Sequence, residues 1–530
     1  MAMKARLQDL KLHKNTLYLS LASAFGWGMA AHGYMFLNNS VSHDSLREFH
    51  AEILGNNIKM GSGRIFTALY RDLLGSDVTL PWLTGILALL WIGLAVYLTA
   101  RIFRLESKAV IGLLGGIFAA NIAVSATTAT YIHDLDSYMF SMLCAVAAVF
   151  CWKEWKFGWL MGAVFAAGAI GIYQGYLFVT VTLVMFDCIL RLYRQETFRA
   201  VFTDGLKAVG MILLGGAAYY AAMKAMLALT GAQLVTGDYN SMDLILHQSP
   251  AAVVGLVGDA YGDWFRRLWE AYSSYPGILV KGATAVFLLV CGAALVTVLI
   301  SEKIGLPEKL LSLALAALLP LGMNLIYVLT ISRTHDLMTF PIWLFYLFAL
   351  LNADFLVKKW HRPGRWVRLA CIGLSALLLY GNVRFSNGMY MKKDLEFDAY
   401  LSLMTRIVTR MEMTEGYLPG ETTVVFVGNP ENRNPMIPGF KDYWNVIGMT
   451  SGDLLIEPER SRYQAYFDYI LSLPIRLAES ETWETVSKSP ESKAMPCYPT
   501  AGCMEFRDGI LVVKLGEVND TEFDFYEIPD

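Results

Sequence analysis

Charge is scarce in this 530-residue sequence: Asp, Glu, Lys and Arg make up 17% of it, against 55% hydrophobic residues. Mean hydropathy is +0.43. A soluble chain of this length is seldom so apolar, so the expected solvent is a lipid bilayer. The net charge is only −3 and no basic block stands out, which removes the electrostatic basis for binding a nucleic-acid backbone. Cysteine motifs are lacking too, since the seven cysteines form no CxxC or Cys/His spacing that would build a zinc site. Cys144, Cys151, Cys188, Cys291 and Cys371 fall in apolar runs and read as packing residues. Cys497 and Cys503 fall in a polar C-terminal region, where an oxidising exterior would let a disulfide survive. There is no visible internal repeat or low-complexity tract, so the symmetry that marks many transporters is missing.

What is present is a succession of apolar stretches near the roughly 20 residues that cross a hydrocarbon core about 30 Å thick. They run over 16–37, 80–103, 109–131, 137–152, 158–173, 176–193, 206–229, 277–300, 310–331, 337–351 and 367–383. The first follows a basic start, but no small-residue cleavage site comes after it, so it reads as a membrane helix rather than a signal peptide. Orientation follows from the short loops. The start (Lys4, Arg6, Lys11, Lys14) and loops 101–108, 153–156, 191–199, 303–309 and 358–368 form one set. It holds about twenty Lys and Arg against about seven in the other, which places the N-terminus inside.

Beyond residue 384 the sequence changes character, with more acidic residues and more proline. Phe397, Leu401, Met404, Val408 and Met411 recur at helical spacing, 422–427 and 509–515 read as strands, and 463–473 as a helix. The expected architecture is therefore an α-helical polytopic membrane protein of about eleven transmembrane helices, N-in and C-out. A membrane domain at 1–384 would precede a small extracytoplasmic α/β domain at 385–530.

On that topology the unusual polar residues collect on one face. The first outer loop holds Asn38, Asn39, Ser40, His43, Asp44, Arg47, Glu48, His50 and Glu52, followed by Gly63, Arg64 and Arg71. His133, Asp134 and Asp136 form the second, and Tyr173, Gln174 and Tyr176 the third. The fourth carries Asp238, Asp243, His247, Asp259, Asp263, Arg266 and Arg267, and the fifth Arg333, His335 and Asp336. Ionisable groups at helix mouths are costly against lipid and should face a polar cavity. Each also has an ordinary reading. Asp44, Asp134 and Asp136 suit helix capping, His43, His133 and His335 suit wet loops, and Arg64 and Arg333 suit lipid phosphates. The recurrence of acid, base and guanidinium on one face favours a function, although many transporters share it.

The order of several short motifs resembles a known family over most of the chain. Asn38 and Asn39 are followed by Ser42-His43-Asp44-Ser45-Leu46 and Gly63-Arg64, then by Asp136-Ser137-Tyr138 and Tyr173-Gln174-Gly175-Tyr176. Asn387 and the run Val512-Val513-Lys514-Leu515 complete the series. This resembles the GtrII-type bacterial glucosyltransferases that modify O-antigens, polytopic enzymes of the GT-C class. The resemblance implies a bacterial cytoplasmic-membrane enzyme whose active site faces outside. It implies transfer of glucose, or a related hexose, from a polyprenyl-phosphate carrier to a glycan or glycolipid acceptor. It also implies an essential acid in the first outer loop, where Asp44 stands, with Asp136 and Asp134 as second-loop acids.

With phosphate as leaving group no acid is needed to protonate a sugar oxygen, so one carboxylate near the acceptor hydroxyl would serve an inverting displacement. The departing phosphate needs a fixed cation, for which Arg64, Arg333 or Arg384 are suited. A divalent metal, Mg or Mn, is the alternative, held by Asp44 with Asp134 or Asp136. His43, Gln174 and His335 complete the expected substrate-binding set. Tyr173, Tyr176 and Trp264 offer faces for sugar stacking, although an interfacial aromatic belt is the commoner reason for such residues. The amphipathic stretch 249–275 would lie at the membrane surface and frame a lateral opening for the carrier. An alternative from another class is a flippase or exporter of a lipid-linked glycan; a third is a channel or sensor.

Overall fold

The computed structural model describes residues 2–38, 41–47, 59–74, 78–234, 244–271, 277–429 and 460–518. They fall into two units, one of residues 1–37, 55–128 and 134–387, the other of 38–54, 129–133 and 388–530. Among the described residues nine helices are long and apolar enough to cross a membrane, which makes this a mostly helical membrane protein. They are Pro81–Ile102, Lys108–Thr130, Ile132–Glu154, Gln174–Tyr193, Phe198–Thr230, Gly277–Leu299, Leu306–Met323, Phe340–Trp360 and Arg362–Glu412. The expectation of about eleven spans is met in part. Gly158–Ile172 is apolar but has 15 residues, about 22 Å at 1.5 Å per residue. The first helix, Ala2–Leu37, is not among the nine, because serines, glycines and His32 dilute its apolar character.

In the first unit burial separates inner helices from peripheral ones. Lys108–Thr130, Ile132–Glu154 and Phe340–Trp360 have 89% of their apolar window buried, against 17% for Phe198–Thr230 and 22% for Leu306–Met323. The peripheral pair therefore turn Leu206, Val209, Leu213, Leu310 and Leu313 outward, a surface that lipid solvates and water does not. Small residues bring the first helix close to its neighbours: a Cβ on Gly115 would lie 2.7 Å from the backbone of Ser23.

Two expected spans are interrupted. The stretch 109–131 is two helices, Lys108–Ala119 and Ile122–Thr130, with Asn121 at the break. Its side chain donates to the Ile117 carbonyl at 2.8 Å and accepts from the Val124 amide at 3.1 Å. Asn382 donates to the freed Ala120 carbonyl at 3.1 Å. Irregular backbone at this depth persists because protein groups satisfy it. In the same way Asn324 separates Leu306–Met323 from Leu325–Leu329 and donates to the Ala260 carbonyl at 2.9 Å.

Ion pairs gather one set of helix ends. Lys153 pairs with Asp187, and Arg191 reaches Glu196 at 2.7 Å and Asp204 at 2.9 Å. They join the ends of Leu135–Glu154 and Leu177–Tyr193 to the start of Phe198–Thr230. At the opposite ends of the first two helices, Asp136 starts Leu135–Glu154 and Tyr173 and Gln174 precede Leu177–Tyr193.

The second unit contains a four-stranded sheet of β1 (Thr423–Val427), β2 (Arg476–Leu477), β3 (Met504–Arg507) and β4 (Ile510–Lys514). Its order is β2-β1-β4-β3, with β1 parallel to β2 and β4, and β3 antiparallel to β4. Asp508 and Gly509 turn the β3–β4 hairpin with φ of 48° and 81°, the positive pair that a two-residue primed turn requires. Phe426 of β1 stacks on Tyr463 at 4.8 Å and accepts at its carbonyl from the Trp483 indole at 2.8 Å. The strands sit at the expected 422–427 and 509–515, while the helix expected at 463–473 is Arg460–Ala465 continued by a wider turn, Tyr466–Leu471. Val41 and Leu46 are buried in this same core. Cys497 and Cys503 are not joined as a disulfide.

Candidate active site

Gly63 has φ +74°, a conformation that costs an L-residue about 1–2 kcal/mol. It turns the chain so that the Arg64 amide donates to the Lys59 carbonyl at 2.8 Å and helix Ile65–Leu74 begins. The Gly63 carbonyl accepts from the Tyr219 hydroxyl at 2.9 Å. Arg64 is thereby aimed at two rings. Its guanidinium carbon lies 5.0 Å from the Tyr173 ring centre and 5.7 Å from that of Tyr138, and Nη1 donates to the Tyr138 hydroxyl at 2.7 Å. The rings themselves stack at 4.5 Å. Tyr173 reaches this place because helix Gly158–Ile172 ends there in extended backbone. Gln174 follows and donates to the Ser62 carbonyl at 3.1 Å, while Tyr176 is buried with its ring 5.6 Å from Phe340.

Asp136 lies in the first turn of helix Leu135–Glu154 and is buried. One carboxylate oxygen accepts the Ser137 amide at 2.9 Å and the other the Tyr70 hydroxyl at 3.1 Å. Trp91 donates to that hydroxyl at 2.9 Å, so indole, phenol and carboxylate form a relay. Burial, then the Asp136 charge, push the Tyr70 phenol far above its ordinary range, which keeps it a donor. Asp134 has a different setting: it is buried between Lys59, to which it is bonded, and Arg71 at 3.7 Å.

Arg64, Asp136, Tyr173, Gln174 and Tyr176 thus gather at one end of the first unit, beside the Asp134 ion pairs. Arg333 is exposed after a turn in which Ile331 and Ser332 have φ of 50° and 65°. His335 precedes the turn Asp336–Met338, Arg384 is exposed on its helix, and Trp264 packs on Phe345 at 5.3 Å.

His43 and Asp44 belong to the second unit. Asp44 is in the first turn of His43–Arg47, its carboxylate 3.3 Å from the His43 ring. Ser42 and Ser45 cap this turn reciprocally: the Ser42 hydroxyl accepts the Ser45 amide at 3.0 Å, and the Ser45 hydroxyl accepts the Ser42 amide at 2.7 Å. The Ser42 hydroxyl also donates to the Thr130 carbonyl at 2.6 Å. Asn39, Ser40, Glu48, His50, Glu52, Asp238 and Asp243 lie outside the described residues. Among the described residues no three His, Cys, Asp or Glu side chains cluster as a metal site would need. Lys59, Tyr70 and Trp91 were not legible as site residues, since only contacts far apart in sequence reveal them.

A bundle of apolar helices with ionisable groups gathered at one set of ends defines a polytopic membrane protein. The chain belongs to the GtrII glucosyl transferase family, whose profile matches residues 33–352. It is accordingly a glycosyltransferase. The likeness noted at Asn387 and at Val512 to Leu515 lies outside the matched range. No curated protein and no solved structure matches the chain.

Proposed function

We propose that this glycosyltransferase moves glucose, or a related hexose, from a polyprenyl-phosphate carrier to a glycan or glycolipid acceptor, with inversion, at the extracytoplasmic face of a bacterial cytoplasmic membrane. The observation that carries the reading is the setting of Arg64. Tyr138 and Tyr173 hold its guanidinium in place, which suits an arginine that must meet a phosphate as negative charge develops. The acceptor oxygen attacks the anomeric carbon, the bond from that carbon to the phosphate oxygen breaks, and the phosphate leaves with the electron pair. The hydroxyl proton passes to a carboxylate. Asp44 is assigned that role on the resemblance; Asp136, held by Tyr70 and Ser137, is the next candidate. Asp134 is least suited, because Lys59 and Arg71 occupy its carboxylate. The domain at 385–530 is proposed to stand outside the cell.

The test is a transfer assay on purified protein in detergent with labelled polyprenyl-phosphate glucose, where no compartments exist for a flippase to serve. Asp44→Asn is expected to lower turnover by about 10²–10⁴-fold with unchanged melting. Near-normal turnover by Asp44→Asn together with a dead Asp136→Asn would move the base to Asp136. Absence of sugar release by the wild-type protein would overturn the donor assignment.

A further inference from the structure

Outside the Arg64 site, helix Pro250–Trp269 borders a cleft of about 480 Å³. Gly258 and Gly262 form its floor, one helical turn apart, and at neither would a Cβ meet an atom within 4 Å. The backbone there is open to a flat ligand. Asp259, Arg266, Tyr327 and Ser332 stand around it, and the Ser332 amide is tied to the Tyr327 carbonyl at 2.9 Å.

The arginines of this cleft are already engaged by carboxylates. Arg267 donates to Asp263 at 2.7 Å, to Asp336 at 2.7 Å and to the Thr334 carbonyl at 3.2 Å. Arg266 donates to Asp263 at 2.6 Å, yet its side chain is 60% exposed. Two arginines therefore face three carboxylates, Asp259, Asp263 and Asp336, and this net negative charge disfavours a phosphate. What the cleft does present is a carboxylate acceptor (Asp259), a guanidinium donor (Arg266), hydroxyls that do both (Ser332, Tyr327), the Tyr327 ring and two open glycines. That mixture matches a neutral polyol.

We propose that this cleft binds a neutral sugar unit of the acceptor glycan, an inference that rests on the chain being a glycosyltransferase. Saturation-transfer NMR on the full-length protein in detergent tests it, using methyl glucoside, methyl galactoside and methyl mannoside, with inorganic phosphate as competitor. At least one glycoside should bind and phosphate should not displace it. Gly262→Leu fills the floor and places a better helix former than glycine in the helix, so the fold is kept while glycoside binding is lost. Asp259→Asn should weaken binding about ten-fold, the loss of one charge-assisted hydrogen bond. Both variants should raise KM for acceptor and leave donor hydrolysis unchanged. Silence from all three glycosides, displacement by phosphate, or normal binding by Gly262→Leu would overturn the cleft assignment. Gly262-dependent binding in a protein that transfers no sugar would instead sink the transferase reading and leave the cleft standing.

Discussion

Arg64 and Asp134 differ in what surrounds them, tyrosine rings for the one and basic side chains for the other. Arg64 is braced by tyrosines, so Arg64→Ala should lower kcat/KM by about 10²–10³-fold, with melting unchanged. Arg64→Lys should recover only part of this, because an ammonium keeps the charge but loses the planar fork and the ring contacts. Asp134 pairs with Lys59 and Arg71 away from water. Asp134→Asn should therefore destabilise the protein by about 3–5 kcal/mol, while the double change Lys59→Met/Asp134→Leu should lie closer to the wild type in denaturant melts. Asp263 sets a pH limit. Burial pushes its carboxyl up, but Arg267, Arg266 and Asn324 together hold it below the ordinary range. Its folded pKa is thus depressed, so its contribution is full above the ordinary carboxylate pKa of about 4 and is lost as pH falls through the lower folded value. Melting followed from pH 6 to pH 3 should show a loss in the wild type that Asp263→Asn lacks.

At the scale of elements, long apolar runs were legible because a window of some twenty residues averages over single polar side chains. That averaging is also why the breaks were missed: one Asn121 or Asn324 barely moves a mean, yet its amide satisfies the groups that an interrupted helix frees. Asn121→Leu should leave the Val124 amide without its side-chain acceptor and cost about 1–3 kcal/mol, read as a drop in melting temperature. Rare polar residues at helix mouths were legible for the converse reason. Arg64, Asp136, Tyr173 and Gln174 stand out against apolar surroundings, whereas Tyr70 and Trp91 do not, since each is an ordinary residue in an apolar helix until its partner is known.

At the scale of the molecule, the sequence expected a boundary near residue 384, and the contiguous part of the second unit begins at 388. What no local pattern announced is that this unit also draws on 38–54 and 129–133. Short loops carry no periodicity, so the burial of Val41 and Leu46 among Tyr400, Met404 and the sheet has no signature in the sequence. Residues 388–530 expressed alone should consequently be less stable than in the whole chain and prone to aggregate, as limited proteolysis and size-exclusion chromatography would show.

That shared core makes maturation wait on the ribosome. Val41 and Leu46 leave it about 350 residues before Tyr400, some 20 to 70 s at ordinary elongation rates. During this interval the turn that carries Asp44 lacks Tyr400, Met404 and the sheet, the later partners of Val41 and Leu46. A stalled or shortened polypeptide would then sit in the bilayer with its helices made and its second unit unfinished.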